Sequence, residues 1–473
     1  MPSRADTASA AGSEARSVTL ELLRRYDRPG PRYTSYPTAV EFHPGFDEAA
    51  YRERLDEAAR ASEQPLSLYA HLPFCEERCS FCACSVIITR KREVAARYLE
   101  YLKREIGLLG AALGERRRVV QYHWGGGTPT YLAPDQMREL QAAVAAEFDV
   151  DPAAEVAIEI DPRVTSPEQL EVLRELGFNR LSMGVQDFTP VVQQAVNRIQ
   201  GVELTRSLFE RARELGFQSI NVDLIYGLPL QTLDSFATAV DTVIGLRPDR
   251  VAVYSFAFVP WIRAHQKNIR QEELPAPELK LELFVEARQR FLDAGYRALG
   301  MDHFALPGDE LTRAGEAGTL HRNFMGYTTR PAPDMLGVGV SAIGDVAGAF
   351  AQNTKKLSGY YAALDAGRFP IERGYQLDPD DRIRRHVITE LMCNFRLDPA
   401  AVEKRFDIDF EAYFRQELQE LREGPVAHGF LELERERIEV TPLGRLFVRN
   451  VCMSFDRYLR QKRQERPVFS RTV

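Results

Sequence analysis

Cysteine is scarce in this chain, with six in 473 residues beside two tryptophans and eight histidines. The few there are exclude a disulfide framework, because four of them stand within ten residues: Cys75, Cys79, Cys82 and Cys84 in HLPFCEERCSFCAC. The other two, Cys393 in LMCNF and Cys452 in NVCMSF, lie alone in apolar helical contexts and read as buried reduced thiols. No apolar run approaches the roughly 20 residues of a membrane span. The opening MPSRADTASAAGSEARS lacks the apolar centre of a secretory signal, so residues 1–17 read as a disordered tail. Basic residues are not in excess. A formal net charge of −7 argues against a general nucleic-acid binder, while leaving room for a local basic pocket.

What is present is concentrated in that cysteine run. The first three cysteines have the spacing C-x3-C-x2-C. Three thiolates are one fewer than the usual complement of a cubic iron–sulfur cluster, so one iron is left free to bind a reactant. A structural zinc site would ask for four ligands in two separated pairs. Here His71 precedes Cys75, and no second pair follows nearby.

Between about Gln64 and Tyr254, short apolar runs alternate with amphipathic ones. The pattern predicts strands over 66–72, 119–124, 155–160, 180–185, 219–227 and 250–256. Helices are predicted over 95–113, 134–148, 204–215 and 233–244. Such alternation gives a parallel sheet, and six units predict an α/β fold with a partial (β/α)6-type parallel barrel. Polar and glycine residues collect after the strands, at the edge where parallel α/β folds bind ligands. The cysteine loop, Gly125-Gly126-Gly127-Thr128-Pro129, Glu159, Asp161, Gln186, Asp187 and Asp223 all fall there.

Residues 1–55 are expected to form the tail and an N-terminal arm, 56–356 the barrel, and 357–473 a mostly helical domain. The arm segment YDRPGPRYTSYPTAVEF (26–42) reads either as a lid over the barrel or as an ordered arm packed elsewhere. Its Arg28 and Arg32 offer charge-assisted bonds to carboxylates. The last domain is expected to hold helices over 382–393, 399–405 and 410–422, a hairpin over 429–440 and a helix over 442–460. That arrangement is winged-helix-like. Its mixed surface charge favours a structural role over DNA binding.

GGGTP suits close approach of a ligand to free backbone N–H groups, or equally a tight strand–loop turn. It is neither a Walker loop nor a dinucleotide fingerprint. Glu159 and Asp223, each near the end of an apolar strand, need a partner. A ligand amine, ribose hydroxyls or a buried arginine would each serve.

The cysteine loop after a first strand, with Phe81 just before Cys82, resembles the radical S-adenosylmethionine superfamily. The fuller set is more specific: YTSYPTA, HLPFCEERCSFCAC, HWGGGTPTYL, IEIDPR, LSMGVQDF, NVDLIYGLP, GMDHFA, HRNFMGYTT and GVGVSAI. Together these resemble the oxygen-independent coproporphyrinogen III oxidases, from Tyr26 to Thr472. The resemblance implies a radical SAM barrel that converts two propionates of coproporphyrinogen III to vinyls, giving protoporphyrinogen IX in haem biosynthesis. It implies a 4Fe–4S cluster on Cys75, Cys79 and Cys82, with Cys84 not a ligand. It implies that Tyr69, Gly126, Glu159 and Ile343 contact S-adenosylmethionine at the open iron. Phe81, Gly127, Thr128, Gln186, Arg198, Asp223 and Ala257 would contact a second molecule of it. An unidentified electron donor and acceptor, a cytoplasmic monomer and no nucleic-acid partner complete the expectations. Ser85, Phe258 and Ser454 depart from the family pattern. The competing readings are a haem chaperone, another radical tetrapyrrole enzyme, and a plain electron-transfer protein.

Overall fold

The computed structural model describes residues 20–461 and 469–472, so the expected tail over 1–17 lies outside the described residues. The chain packs into two compact units, neither of them one continuous stretch. One gathers Glu41–Asp223 and Arg330–Leu377; the other gathers Met1–Val40, Leu224–Thr329 and Asp378–Val473.

The first unit is built on strands β1 (Leu66–Leu72), β2 (Arg118–Gly126), β3 (Asp149–Ile160), β4 (Arg180–Gln186) and β5 (Ser219–Tyr226). The last residues of β5 belong to the second unit. Helices Arg92–Leu113, Pro134–Glu147, Pro167–Glu175 and Val202–Glu214 connect these strands. Strand β6 (Asp334–Val338) lies on the other side of β1, giving the order β6-β1-β2-β3-β4-β5. The pairs β6–β1, β1–β2, β2–β3 and β3–β4 are parallel. Beyond β6, strands β7 (Ile343–Val346), β8 (Ala349–Asn353) and β9 (Ile371–Gln376) extend the sheet antiparallel. The parallel core is an open sheet of the partial-barrel kind.

Strand β6 is absent from the sequence reading. Its run DMLGV is buried at every position, so it shows no alternation, and an acid and a glycine interrupt its apolar character. The helix Pro167–Glu175 is also unread, although it carries a capping box in which Ser166 and Gln169 bond reciprocally.

In the second unit, Arg250–Ser255 pairs antiparallel with His303–Ala305, which pairs antiparallel with Arg297–Leu299. Helices Pro379–Asn394, Pro399–Phe406, Phe410–Tyr413 and Arg415–Leu421 precede a hairpin of Leu431–Leu433 and Ile438–Val440. The single helix expected over 442–460 is instead three short ones, Pro442–Arg445, Val448–Met453 and Arg457–Gln461. The chain restarts at Asp456, whose carboxylate accepts from the N–H groups of Tyr458 (2.9 Å) and Leu459 (3.3 Å).

The arm is part of this unit's interior. Tyr33 and Tyr36 pack in one core with Val387, Leu391, Phe414 and Phe455. The Tyr33 hydroxyl donates to Asp456 at 3.0 Å. Arg449 is buried and donates to the carbonyls of Gly30, Pro31, Arg471 and Thr472. Arg32, expected to be open to a carboxylate ligand, is ion-paired with Asp302. Among the described residues no helix is long and apolar enough to cross a membrane.

Candidate active site

The cysteine loop starts where β1 ends. Phe74–Cys75 pairs in parallel with Ile87–Ile88, which closes the loop into a compact excursion. Ser80 N–H donates to Val196 O at 2.8 Å, and Asn197 Nδ2 to Arg78 O at 3.0 Å, so the loop is fixed from outside as well. Cys79 is buried, Cys75 and Cys82 are half-buried, and Cys84 is exposed. Burial first, then the neighbouring Cys82 and Cys79, push the Cys75 thiol up to about 12. A hydrogen bond between Cys84 and Cys82 lifts the Cys84 thiol well above its ordinary value. Among the described residues no three Cys, His, Asp or Glu side chains converge as a single ion requires. A cubane asks for something else, one thiolate on each of three irons.

Of the two readings of the glycine loop, its backbone bonds match the tight strand–loop turn. Gly127 N–H donates to Leu72 O and Thr128 N–H to Phe74 O, both at 2.9 Å. Gly126 N–H donates to Glu159 at 3.3 Å. These donors are therefore already used, and the run is a tight seat for the backbone that leads to Cys75. A Cβ at Gly127 would lie 2.6 Å from the Pro73 and Phe74 carbonyl oxygens. Gly127→Ala is expected to displace the cysteine loop and destabilise the unit by about 1–3 kcal/mol. Iron bound after reconstitution checks this, with a large loss expected.

Around Glu159 lies a second group. The Tyr69 hydroxyl is 2.9 Å from His71 Nδ1, and His71 Nε2 is 3.0 Å from Ser85 O. Burial lowers His71, so the ring is neutral. Since a carbonyl only accepts, Nε2 carries the proton and Nδ1 accepts from Tyr69. Glu159 opens to the site, with His123 Nε2 3.5 Å from its Oε1. Burial works to raise Glu159, but His123, the Gly126 N–H and His71 outweigh it and hold the carboxylate below its ordinary value.

A third group gathers at the ends of β3, β4 and β5. Asp161 holds two arginines: Arg163 Nη2 at 2.7 Å and Arg198 Nη1 at 3.0 Å. Gln186 sits in a γ-turn at φ +74, closed by Asp187 N–H on Val185 O at 3.0 Å. Gly184 makes room for it, since a Cβ there would lie 2.9 Å from Gln186 Nε2 and 3.2 Å from Arg198 Nη2. Thr128 Oγ1, Gln186 Oε1 and Arg198 Nε are buried without a hydrogen-bond partner. Buried polar atoms are almost always paired, so three orphans among the residues expected to contact the second cofactor molecule fit a polar ligand. Asp223 accepts from Asn221 Nδ2 at 2.7 Å and from Ser182 Oγ at 3.3 Å. Burial above all, with the Glu159 charge, raises it to about 7. Among the described residues, neither Glu159 nor Asp223 makes the arginine pair that a purely structural carboxylate would.

A cavity of about 230 Å³ opens among Cys75, Thr128, Asp161, Arg163 and Asn197. Phe81 is half-buried in the cysteine loop, and Ile343 begins β7. Ala257 belongs to the other unit, where its carbonyl accepts from Gln266 Nε2 at 3.1 Å.

Known proteins resemble this chain over nearly its whole length. A profile described as the radical SAM superfamily matches residues 69–243, and one described as the HemN C-terminal domain matches residues 377–447. Oxygen-independent coproporphyrinogen III oxidase of Escherichia coli is 48% identical over 96% of this chain and 98% of its own. The protein of that name from Pseudomonas aeruginosa is 47% identical over the same shares. The chain belongs to the oxygen-independent coproporphyrinogen III oxidase family. The solved Escherichia coli structure, titled a radical SAM enzyme, superposes with a TM-score of 0.88 at 46% identity, covering 93% of this chain and 99% of that one.

For a member of this oxidase family, two of the sequence departures touch only backbone. Ser85 meets His71, and Ser454 meets Arg460, through their carbonyls, so neither bond depends on the side chain. The residue that motif reading missed is Arg163. It stands in the quoted run IEIDPR, yet only folding brings it to Cys79.

Proposed function

We propose that this chain converts coproporphyrinogen III to protoporphyrinogen IX by oxygen-independent oxidative decarboxylation, with one 4Fe–4S cluster and two molecules of S-adenosylmethionine. The observation that carries this reading is the three-thiol loop set beside buried polar atoms without protein partners. When bound, these cofactors would supply the one-electron and radical chemistry that oxidises a propionate to a vinyl with loss of CO2. Cys75, Cys79 and Cys82 hold the cluster. Tyr69, Gly126, Glu159 and Ile343 line the place of the first S-adenosylmethionine, and the ionised Glu159 accepts from its amine or ribose hydroxyls. Phe81, Gly127, Thr128, Gln186, Arg198, Asp223 and Ala257 receive the second. A donor and an acceptor of single electrons complete the cycle of a cytoplasmic monomer. Residues 56–356 carry the chemistry, and residues 1–55 and 357–473 support it.

Anaerobic reconstitution followed by assay with coproporphyrinogen III, S-adenosylmethionine and a reductant tests the reading. Protoporphyrinogen IX and CO2 are expected. A linear tetrapyrrole, or haem binding without turnover, would replace the reading with one of its rivals. Asp223→Asn separates a cofactor role from a structural one. Losing one charged hydrogen bond is worth about 1.5–3 kcal/mol, so kcat/KM should fall roughly ten- to a hundredfold. The melting temperature should hold or rise, because the buried carboxyl no longer has to ionise. A lower melting temperature with normal turnover would make Asp223 structural.

A further inference from the structure

Arg163 has no role in the reading above, yet its position is specific. Asp161 grips it twice, Nε at 3.0 Å from Oδ1 and Nη2 at 2.7 Å from Oδ2. The same Nη2 lies 3.6 Å from Cys79 Sγ. One of its two N–H bonds can serve the carboxylate and the other the sulfur. Arg198 Nη1 approaches the same sulfur at 3.7 Å while also bonding Asp161. Two guanidinium charges and one carboxylate therefore leave one net positive charge against the most buried of the three thiols. Asp161 and Arg163 are themselves largely covered, with side chains 13% and 19% exposed, so water screens this charge poorly.

We propose that Arg163 is a positioning residue that sets the reduction potential of the cluster through the sulfur of Cys79. The inference rests on the reading that Cys79 is a cluster ligand. Reduction adds one electron to the cluster and spreads negative charge onto its sulfurs. Hydrogen bonds and positive charge at a cluster sulfur favour that state and make the potential less negative. Asp161 acts in the opposite sense by charge while fixing the arginine's direction.

The test is EPR-monitored redox titration of the anaerobically reconstituted full chain, with a one-electron reductant such as titanium(III) citrate. Wild type is compared with Arg163→Gln, Arg163→Lys and Asp161→Asn. Arg163→Gln should leave about tenfold less cluster reduced at a fixed poise, a shift of about 59 mV to more negative potential for one electron. Arg163→Lys keeps the charge without the planar fork and should move less in the same direction. Asp161→Asn should move the potential the other way, a sign that loosened packing alone would not produce. Iron content and melting temperature are read on each preparation. If Arg163→Gln fails to hold iron, the lysine and Asp161→Asn variants decide by the sign of their shifts. Unchanged potentials in variants with full iron would overturn the proposal, whereas a wild type that assembles no cluster would instead overturn the reading of the cysteines.

Discussion

Serine at Cys75, Cys79 or Cys82 should leave a folded chain without a competent cluster, and turnover should fall below detection. Cys84→Ser should assemble the cluster and keep most of its activity. On the proposed ligation each of the three cysteines would hold its own iron, so no spare thiolate would cover a loss. Cys84 lies close enough to bond Cys82, yet it is exposed at the far end of the loop. Iron counts and the EPR signal of the reduced form on the four variants check this. A full cluster in Cys82→Ser together with an empty Cys84→Ser would move the third ligand to Cys84.

Removing residues 1–42 should unfold the second unit rather than merely expose a site. Tyr33 and Tyr36 are 7% and 2% exposed in that unit's core. Emptying the place of a large aromatic costs about 3–5 kcal/mol, so losing both approaches the whole stability of an ordinary domain. Tyr36→Ala alone should cost about 3–5 kcal/mol, read from urea unfolding. The truncated chain should melt in a separate early step and make no product, while the cysteine-bearing unit still binds iron. If truncated and full-length chains share one melting curve, the arm is dispensable to the core.

The strand ends were legible from sequence because β1 to β5 are apolar runs bounded by turn residues, and chemistry collects after such strands. The cysteine triad was legible by spacing alone. The roles proposed for Tyr69, Gln186 and Arg198 rest only on resemblance, since nothing local marks them. Arg163 stayed hidden because its contact with Cys79 joins residues 84 apart in the chain. GGGTP stayed open between two readings because glycine reports closeness of backbone without saying whether a ligand or another strand comes close. The arm was undecidable because its tyrosines and prolines lack periodicity. Their packing partners, such as Phe414 and Phe455, lie almost at the other end of the chain.

That last separation bears on how the molecule is made. Arg449 and Asn450 bond the carbonyls of Gly30, Pro31 and Tyr26, and Thr472 N–H reaches Arg28 O. The arm leaves a ribosome 418 residues or more ahead of Arg449 and Asn450. At about 5–20 residues per second, the arm waits on the order of 20–80 s before they appear. Throughout that interval its tyrosines have no native place to go. A chain released a few dozen residues early would have its cysteine loop complete while the arm's aromatics still lacked part of their core.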